Sequence, residues 1–149
     1  MIDDTIRRSV IVSISPERAF AAWTERVDLW WPPSHRQHAK TDAELTFEGR
    51  VGGRLFEHAD SGDDVEYGRV TTWDPPDVLR YEFFLGTGPD LPTDVSIRFV
   101  AVPEGTRVEV EHSAGAAGDA YSRSVSGYRR AWTELLESFT HHAQSGVSP

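Results

Sequence analysis

The chain has 149 residues, 38% of them hydrophobic, and this size predicts one domain with a sizeable core. Its 15 basic and 24 acidic side chains give a net charge of −9, which argues against nucleic-acid partners and anionic membrane surfaces because both would be repelled. The absence of cysteine excludes disulfides, thiol nucleophiles and cysteine-ligated metal centres, and no apolar run approaches the ~20 residues that span a bilayer, so we expect no membrane insertion.

The N-terminal part of the chain predicts one strand and two short helices. From Ile6 to Ile14, β-branched apolar residues alternate with polar ones for most of the run, as in a strand with one mostly apolar face. Ser15 is followed by proline and glutamate, which is typical of an N-cap and the first turn of a helix. This helix is expected to include Phe20 and Trp23, and a second short one to end at Trp30-Trp31-Pro32-Pro33, because two consecutive prolines cannot continue a helix.

Between about Ala43 and Ser113 the hydrophobic pattern changes to a period of two, which predicts six short strands. Clusters of Asp, Gly, Pro and Ser separate them at hairpin spacing. With the first strand they predict a seven-stranded antiparallel sheet, which Gly52-Gly53 and Gly68 are expected to bend or bulge. The six runs are Leu45–Phe47, Leu55–Phe56, Val65–Val70, Leu79–Leu85, Val95–Val102 and Thr106–His112.

The last predicted element is a long helix from Asp119 to Ala143. At ~1.5 Å per residue it exceeds about 30 Å, enough to cross a small sheet. The sequence therefore predicts an α+β fold in which a curved antiparallel sheet wraps the C-terminal helix, with the two short helices at the mouth of the sheet. The apolar stripe of the long helix consists of Val125, Tyr128, Trp132, Leu135 and Phe139.

The two ends of the chain lie outside these elements. The first residues, Met1 to Asp4, are acidic where a secretory signal would be basic, so the sequence favours a soluble protein of the cytoplasm. The last residues, Gln144 to Pro149, are small and polar, and we expect them to form a disordered tail. With no repeat and no interior linker, residues 1–149 are predicted to form a single domain.

Several short motifs follow one another in a specific order and spacing. They are Ser15-Pro16-Glu17-Arg18-Ala19-Phe20, Trp30-Trp31-Pro32-Pro33-Ser34-His35, Gly52-Gly53-Arg54, Gly68-Arg69-Val70, Trp73-Asp74-Pro75-Pro76, and Gly105-Thr106-Arg107-Val108 with Glu111-His112. From about Ile6 to Ala143 the chain resembles the START-like superfamily, whose helix-grip fold is shared with the birch-pollen allergen. More narrowly, it resembles the bacterial SRPBCC branch named after the activator of the ninety-kilodalton heat-shock chaperone ATPase (AHSA-like proteins).

The resemblance implies the helix-grip fold and a function in the cavity between sheet and helix. Relatives bind lipids, polyketides and hormones there, cyclise polyketides or sequester toxic natural products. The namesake co-chaperone has a further N-terminal domain that is important for binding and stimulating its chaperone. The co-chaperone role therefore does not follow from the resemblance.

Ten side chains are candidates for such a cavity. Because Trp30 and Trp31 are adjacent, one should close the core and the other line the cavity mouth, where indoles stack on flat ligands; alternatively both close the core. His35, next to them, is either a proton donor or acceptor near neutral pH or a solvated loop residue. His112 has the inward phase of its strand and either orients a polar ligand group or is held by hydrogen bonds in the core. The predicted ligand-binding residues are Trp31, His35, Phe47, Tyr67, Tyr81, Phe83, Phe99, His112, Tyr128 and Trp132.

Other chemistry finds little support among the residues. No histidine pair has zinc-ligand spacing with a third ligand in reach, so no metal is expected. The acidic cluster from Asp60 to Asp64 is interpreted as a hairpin turn rather than a calcium loop. Without a nucleophile elbow, a phosphate-binding loop or a dinucleotide fingerprint, no catalytic residue is assigned and no cofactor is expected.

We therefore predict a protein that binds a small apolar or aromatic ligand between the curved sheet and the long helix. One alternative is a small enzyme of cyclase or hydrolase type that uses His35, His112 or a buried tyrosine as its acid–base group. Another is an interaction module for a chaperone or a second copy of the chain, which would expose an apolar patch around Trp30. A homodimer, formed through an edge strand or the Trp30-Trp31 segment, is compatible with the sequence but not required by it.

Overall fold

A computed structural model describes residues 4–36, 43–59 and 64–145. Short 3₁₀ turns at Pro33–His35 and Gly115–Ala117 interrupt a succession of strands and α-helices. In chain order these are β1 (Ile6–Val12), α1 (Pro16–Thr24), α2 (Val27–Trp30), β2 (Glu44–Phe47), β3 (Arg54–His58), β4 (Val65–Asp74), β5 (Val78–Phe83), β6 (Thr93–Val102), β7 (Gly105–Ser113) and α3 (Asp119–Ser145).

The strands form one antiparallel sheet in the order β1-β7-β6-β5-β4-β3-β2. Only β1 pairs out of sequence, because it lies along β7 with Ile6 opposite His112. The β3–β4 register shifts just after Leu55, which pairs with Gly68, and this confirms the predicted bulge. A Cβ at Gly68 would lie 2.0 Å from the carbonyl oxygen of Glu82, so only glycine allows the strands to approach there.

Most strand boundaries differ from the prediction by a few residues, and two of these differences matter for the interior. β4 continues to Asp74 because a second register shift around Thr71 lets its pairing with β5 resume. β5 ends at Phe83, so Leu85 belongs to the following loop rather than to the strand. This loop begins at Phe84, which is still attached to the sheet because its N–H donates to the carbonyl of Tyr67 on β4 at 2.9 Å.

The two short helices close one end of the sheet. Ser15 caps α1, since its Oγ accepts a hydrogen bond from the N–H of Arg18 at 3.3 Å. The Trp30 indole N–H donates to the carbonyl of Ala22 at 3.0 Å and ties α2 to α1. The Trp23 ring centre lies 4.6 Å from that of Trp30 and 4.8 Å from that of Phe139, so aromatic rings fill this half of the interior.

The long helix α3 packs against the concave face of the sheet, and its predicted apolar stripe is buried. This is the α+β, helix-grip arrangement that the sequence predicts. One boundary corrects the prediction: α3 includes Gln144 and Ser145, which the sequence analysis assigned to a disordered tail. Neither residue breaks a helix, and the Ser145 hydroxyl donates to the carbonyl of His142 at 3.0 Å. The rest of the predicted tail, 146–149, lies outside the described residues.

Candidate ligand-binding site

A pocket of about 460 Å³ lies between the concave face of the sheet and α3. The sheet contributes Phe83 at the end of β5 and His112 on β7. The loop after β5 contributes Leu85 and Gly86, and a third wall comes from the segment after α2 with Trp31. The pocket therefore forms where four separate parts of the chain meet.

The α3 wall combines large and small side chains on one face of the helix. Its positions follow the three- and four-residue steps that bring side chains together on a helix. Ser124, Gly127 and Ala131 alternate there with Tyr128 and Leu135. A Cβ built on Gly127 would meet nothing within 4 Å, so the missing side chain leaves open space.

The polar floor of the pocket is a chain of three hydrogen bonds. The indole N–H of Trp132 lies 2.9 Å from Nδ1 of His112, which must therefore be the acceptor. The hydrogen of a neutral imidazole then sits on Nε2, which lies 2.8 Å from Oγ1 of Thr93. Thr93 in turn donates to the carbonyl of Phe83 at 2.6 Å. All donors and acceptors in this series of three hydrogen bonds are consistent with a single tautomer of His112.

The surroundings of His112 keep it neutral. Its side chain is 1% exposed, and this burial lowers the pKa of the imidazole to about 3. A second ring proton would also face the Trp132 N–H, donor against donor, at 2.9 Å. At neutral pH His112 therefore positions Trp132 and has no lone pair left to accept a proton from a ligand.

Tyr128 connects α3 to the loop after β5. Its hydroxyl donates to the carbonyl of Leu85 at 3.2 Å, and its ring centre lies 4.6 Å from that of His112 and 6.3 Å from that of Phe83. Burial raises the pKa of the Tyr128 phenol, so it stays protonated at neutral pH. These contacts make Tyr128 a wall of the pocket with its hydrogen already donated.

The segment after α2 is held by an ion pair. The Arg36 guanidinium lies 2.7 Å from Oδ1 of Asp28 and donates to the carbonyl of Trp31 at 2.8 Å. The Trp31 indole N–H donates to the carbonyl of His35 at 3.1 Å, so the turn folds back on itself. His35 Nε2 lies 3.3 Å from a carboxylate oxygen of Glu134 on α3. This pair brings an acid and an imidazole to one end of the pocket.

Residues 13–144 match the protein family described as "Activator of Hsp90 ATPase homolog 1-like protein". The chain belongs to this family. No curated protein matches the chain.

Solved structures share the fold of this AHSA1-like chain at low identity. An anthrahydroquino-γ-pyrone synthase, solved as a complex, is 29% identical, with 92% of this chain and 95% of that chain covered and a TM-score of 0.60. The AHSA1-like protein from Aeromonas hydrophila is 20% identical, with 92% and 90% covered and a TM-score of 0.63. CalU16 from Micromonospora echinospora is 18% identical, with 97% and 76% covered and a TM-score of 0.64.

The structure brings six of the ten predicted site residues of this AHSA1-like protein to the pocket and places four elsewhere. The four lie on inward-facing strand positions that pack against other core rings. Phe99 contacts Phe20 with ring centres 5.2 Å apart, and Phe47 contacts Tyr81 at 5.4 Å. Tyr67 packs edge-on against Trp31 at 6.1 Å. Those lining the pocket are Trp31, His35, Phe83, His112, Tyr128 and Trp132.

Several residues of the site are absent from the predicted set. Ser124 and Ala131 lie one turn before and one turn after Tyr128 on α3, and Gly127 lies one turn before Ala131; this spacing is the signal that could have found them. Glu57, which is not among the predicted residues either, does not line the pocket but is fully buried and accepts a hydrogen bond from the Tyr67 hydroxyl. Pairs such as Glu134 with His35 join distant parts of the chain and leave no local pattern.

Other predicted features fall partly outside the described ranges. The turn from Asp60 to Asp64 is one, although Asp64 itself contacts Nδ1 of His58 at 2.6 Å. Within the described ranges, no three His, Asp or Glu side chains are grouped so as to hold a metal ion. None of the helices in those ranges is long and apolar enough to cross a membrane.

Proposed function

We propose that this AHSA1-like protein binds a flat apolar or aromatic molecule in the pocket beside α3. The observation that carries the proposal is the wall of four aromatic rings, Trp31, Phe83, Tyr128 and Trp132, around a space of about 460 Å³. Sites for small molecules have this size and composition, with mostly apolar walls and few polar groups.

Removal of the ligand from water would supply the binding energy. At about 25 cal/mol per Å², a bicyclic aromatic that buries roughly 200 Å² gains about 5 kcal/mol before the cost of association. The indole and phenol rings also favour stacked or edge-on contacts with a flat ligand. Shape and ring geometry would therefore select the ligand more than hydrogen bonds inside the pocket.

A cyclase-type enzyme is the second candidate, favoured by the likeness to the anthrahydroquino-γ-pyrone synthase. His112 does not suit the acid–base role, because both of its ring nitrogens are engaged and burial lowers its pKa to about 3. His35 beside Glu134 suits it better. His35→Gln should then abolish turnover of an aromatic polyketide but leave binding of the ligand intact, whereas a pure binding protein would show no turnover in either form.

The interaction-module alternative loses its main support. Trp30 and Trp31 are only 2% and 3% exposed, so the expected aromatic patch is not available to a partner. Leu29 is exposed next to them, but a single exposed leucine is normal on a protein surface. The homodimer, the cytoplasmic location and the single-domain boundaries stay predictions.

A matched pair of substitutions at Gly127 tests the binding proposal. Gly127→Leu adds a side chain to the open space of the pocket, whereas Gly127→Ala adds one methyl group there. Both replace a glycine inside a helix and should raise the stability of α3. Loss of binding in Gly127→Leu would thus not come from unfolding.

The probe is N-phenyl-1-naphthylamine, a neutral aromatic dye whose fluorescence rises in an apolar site. We expect Gly127→Leu to weaken its binding about tenfold and Gly127→Ala to leave it within about twofold of the unmodified protein. Equal binding to all three proteins, or none to any of them, would contradict the proposal.

A further inference from the structure

We propose that the natural ligand is an aromatic anion, and that Arg123 holds its negative group at the mouth of the pocket. The inference rests on the proposed binding function and adds the chemical class of the ligand and its orientation. Polar groups are distributed unequally between the interior of the pocket and its mouth.

The interior has little to offer a charged group. The hydrogens of Trp132 and Tyr128 are already donated to protein acceptors, and both nitrogens of His112 are in hydrogen bonds. An anion buried there would lose its hydration without gaining donors, which is costly. The charged part of a ligand therefore has to remain at the mouth.

At the mouth, Arg123 projects from the first turns of α3 next to Ser124. Arg123 is exposed and makes no ion pair with any carboxylate of the described residues. Other arginines of the described residues also lack an ion pair, among them Arg129 and Arg130 on the same helix, but Arg123 is the one arginine among the residues that line this pocket. Its guanidinium is therefore available to an anion held against the aromatic walls.

The opposite end of the pocket has the opposite charge. Glu134, which contacts His35, lies on α3 about 16 Å along the helix axis from Arg123. Its carboxylate would repel an anion at that end, while the guanidinium attracts it at the other. A ligand with one negative group would therefore be oriented, with its rings against Trp132 and its anion towards Arg123.

Two dyes with the same ring system test this. 8-Anilinonaphthalene-1-sulfonate is N-phenyl-1-naphthylamine with a sulfonate added, so the ratio of their dissociation constants isolates the effect of the charge. The variant is Arg123→Gln, and the matched control is Arg130→Gln, an exposed arginine of the same helix that does not line the pocket.

We expect Arg123→Gln to weaken binding of the sulfonate dye about threefold to tenfold and to leave the neutral dye within about twofold. Arg130→Gln should change neither dye. The effect of Arg123→Gln should shrink at high salt, because the pair is near solvent.

An unchanged ratio in Arg123→Gln, or the same change in Arg130→Gln, would overturn the aromatic-anion proposal. The binding function would survive that result if the neutral dye still bound to the unmodified protein and if Gly127→Leu still weakened its binding. Insensitivity of both dyes to Gly127→Leu would instead remove the binding function, and with it this inference.

Discussion

The interior of the sheet has two halves built on the same helix but packed differently. Beneath α1 and α2, α3 presents Phe139 to Trp23 and Trp30, and the rings contact one another at about the closest distances seen for aromatic pairs. Nearer its start, α3 presents Gly127 and Ala131, and a pocket remains. Whether the interior is core or cavity therefore depends on the side-chain volume along one face of α3 and on the rings that α1 and α2 contribute to one half.

The greatest loss of stability is expected from a truncation in the filled half. Trp23 is fully buried, so Trp23→Ala should lower the free energy of unfolding by about 4 kcal/mol through the cavity it leaves. Leu85→Ala, a truncation of a half-buried side chain at the pocket, should cost about 1 kcal/mol. Urea unfolding of both variants measures the contrast, and similar costs would show that the two halves are packed alike.

A second effect comes from the polar floor of the open half. Burial lowers the pKa of His112 from 6.5 to about 3, so between these values the unfolded chain binds a proton here that the folded protein does not. The free energy of unfolding should therefore fall as the pH is lowered, by about 3 kcal/mol from this group between pH 6.5 and pH 4. Well above pH 6.5 its contribution to the pH dependence vanishes, because neither state binds the proton.

His112→Gln isolates this contribution. The amide can still accept from Trp132 or donate to Thr93, but it does not titrate. Urea unfolding at pH 7, 5.5 and 4 should show the unmodified protein losing about 3 kcal/mol more than the variant. Carboxylates whose pKa is lowered, such as Asp64, affect both proteins equally and cancel in the difference. Parallel pH profiles would contradict this, because they would mean that His112 takes up its proton at the same pH in the folded protein as in the unfolded chain.

The order and type of the elements could be predicted because hydrophobic periodicity is local. A few neighbouring residues were enough to predict three features that the structure confirms: the inward orientation of His112, the helix cap at Ser15 and the bulge at Gly68. The assignment of rings to pocket or core could not follow in the same way. Phe83 and Phe99 have the same inward phase on their strands, and only the position of α1, whose Phe20 contacts Phe99, separates them.

The site differs from the fold in this respect because its contacts join distant parts of the chain. Trp132 on α3 donates a hydrogen bond to His112 on β7, and His35 contacts Glu134, which lies ninety-nine positions later in the sequence. The residues next to each of these side chains in the sequence give no indication of its contact partner. The small residues of α3 are the exception, since their phase relative to Tyr128 is present in the sequence and marks where a helix face leaves space.

The least change in stability is expected where one methyl group is added to or removed from the open half. Gly127 lies inside α3, where glycine is about 1 kcal/mol less favourable than alanine, and a Cβ there meets nothing within 4 Å. Gly127→Ala should therefore raise the free energy of unfolding by about 1 kcal/mol. Ala131→Gly, one turn later and half-buried, should lower it by at least that amount, because it also loses contact with the core. Urea unfolding measures both, and a destabilised Gly127→Ala would show that the space beside this helix is already occupied in the native protein.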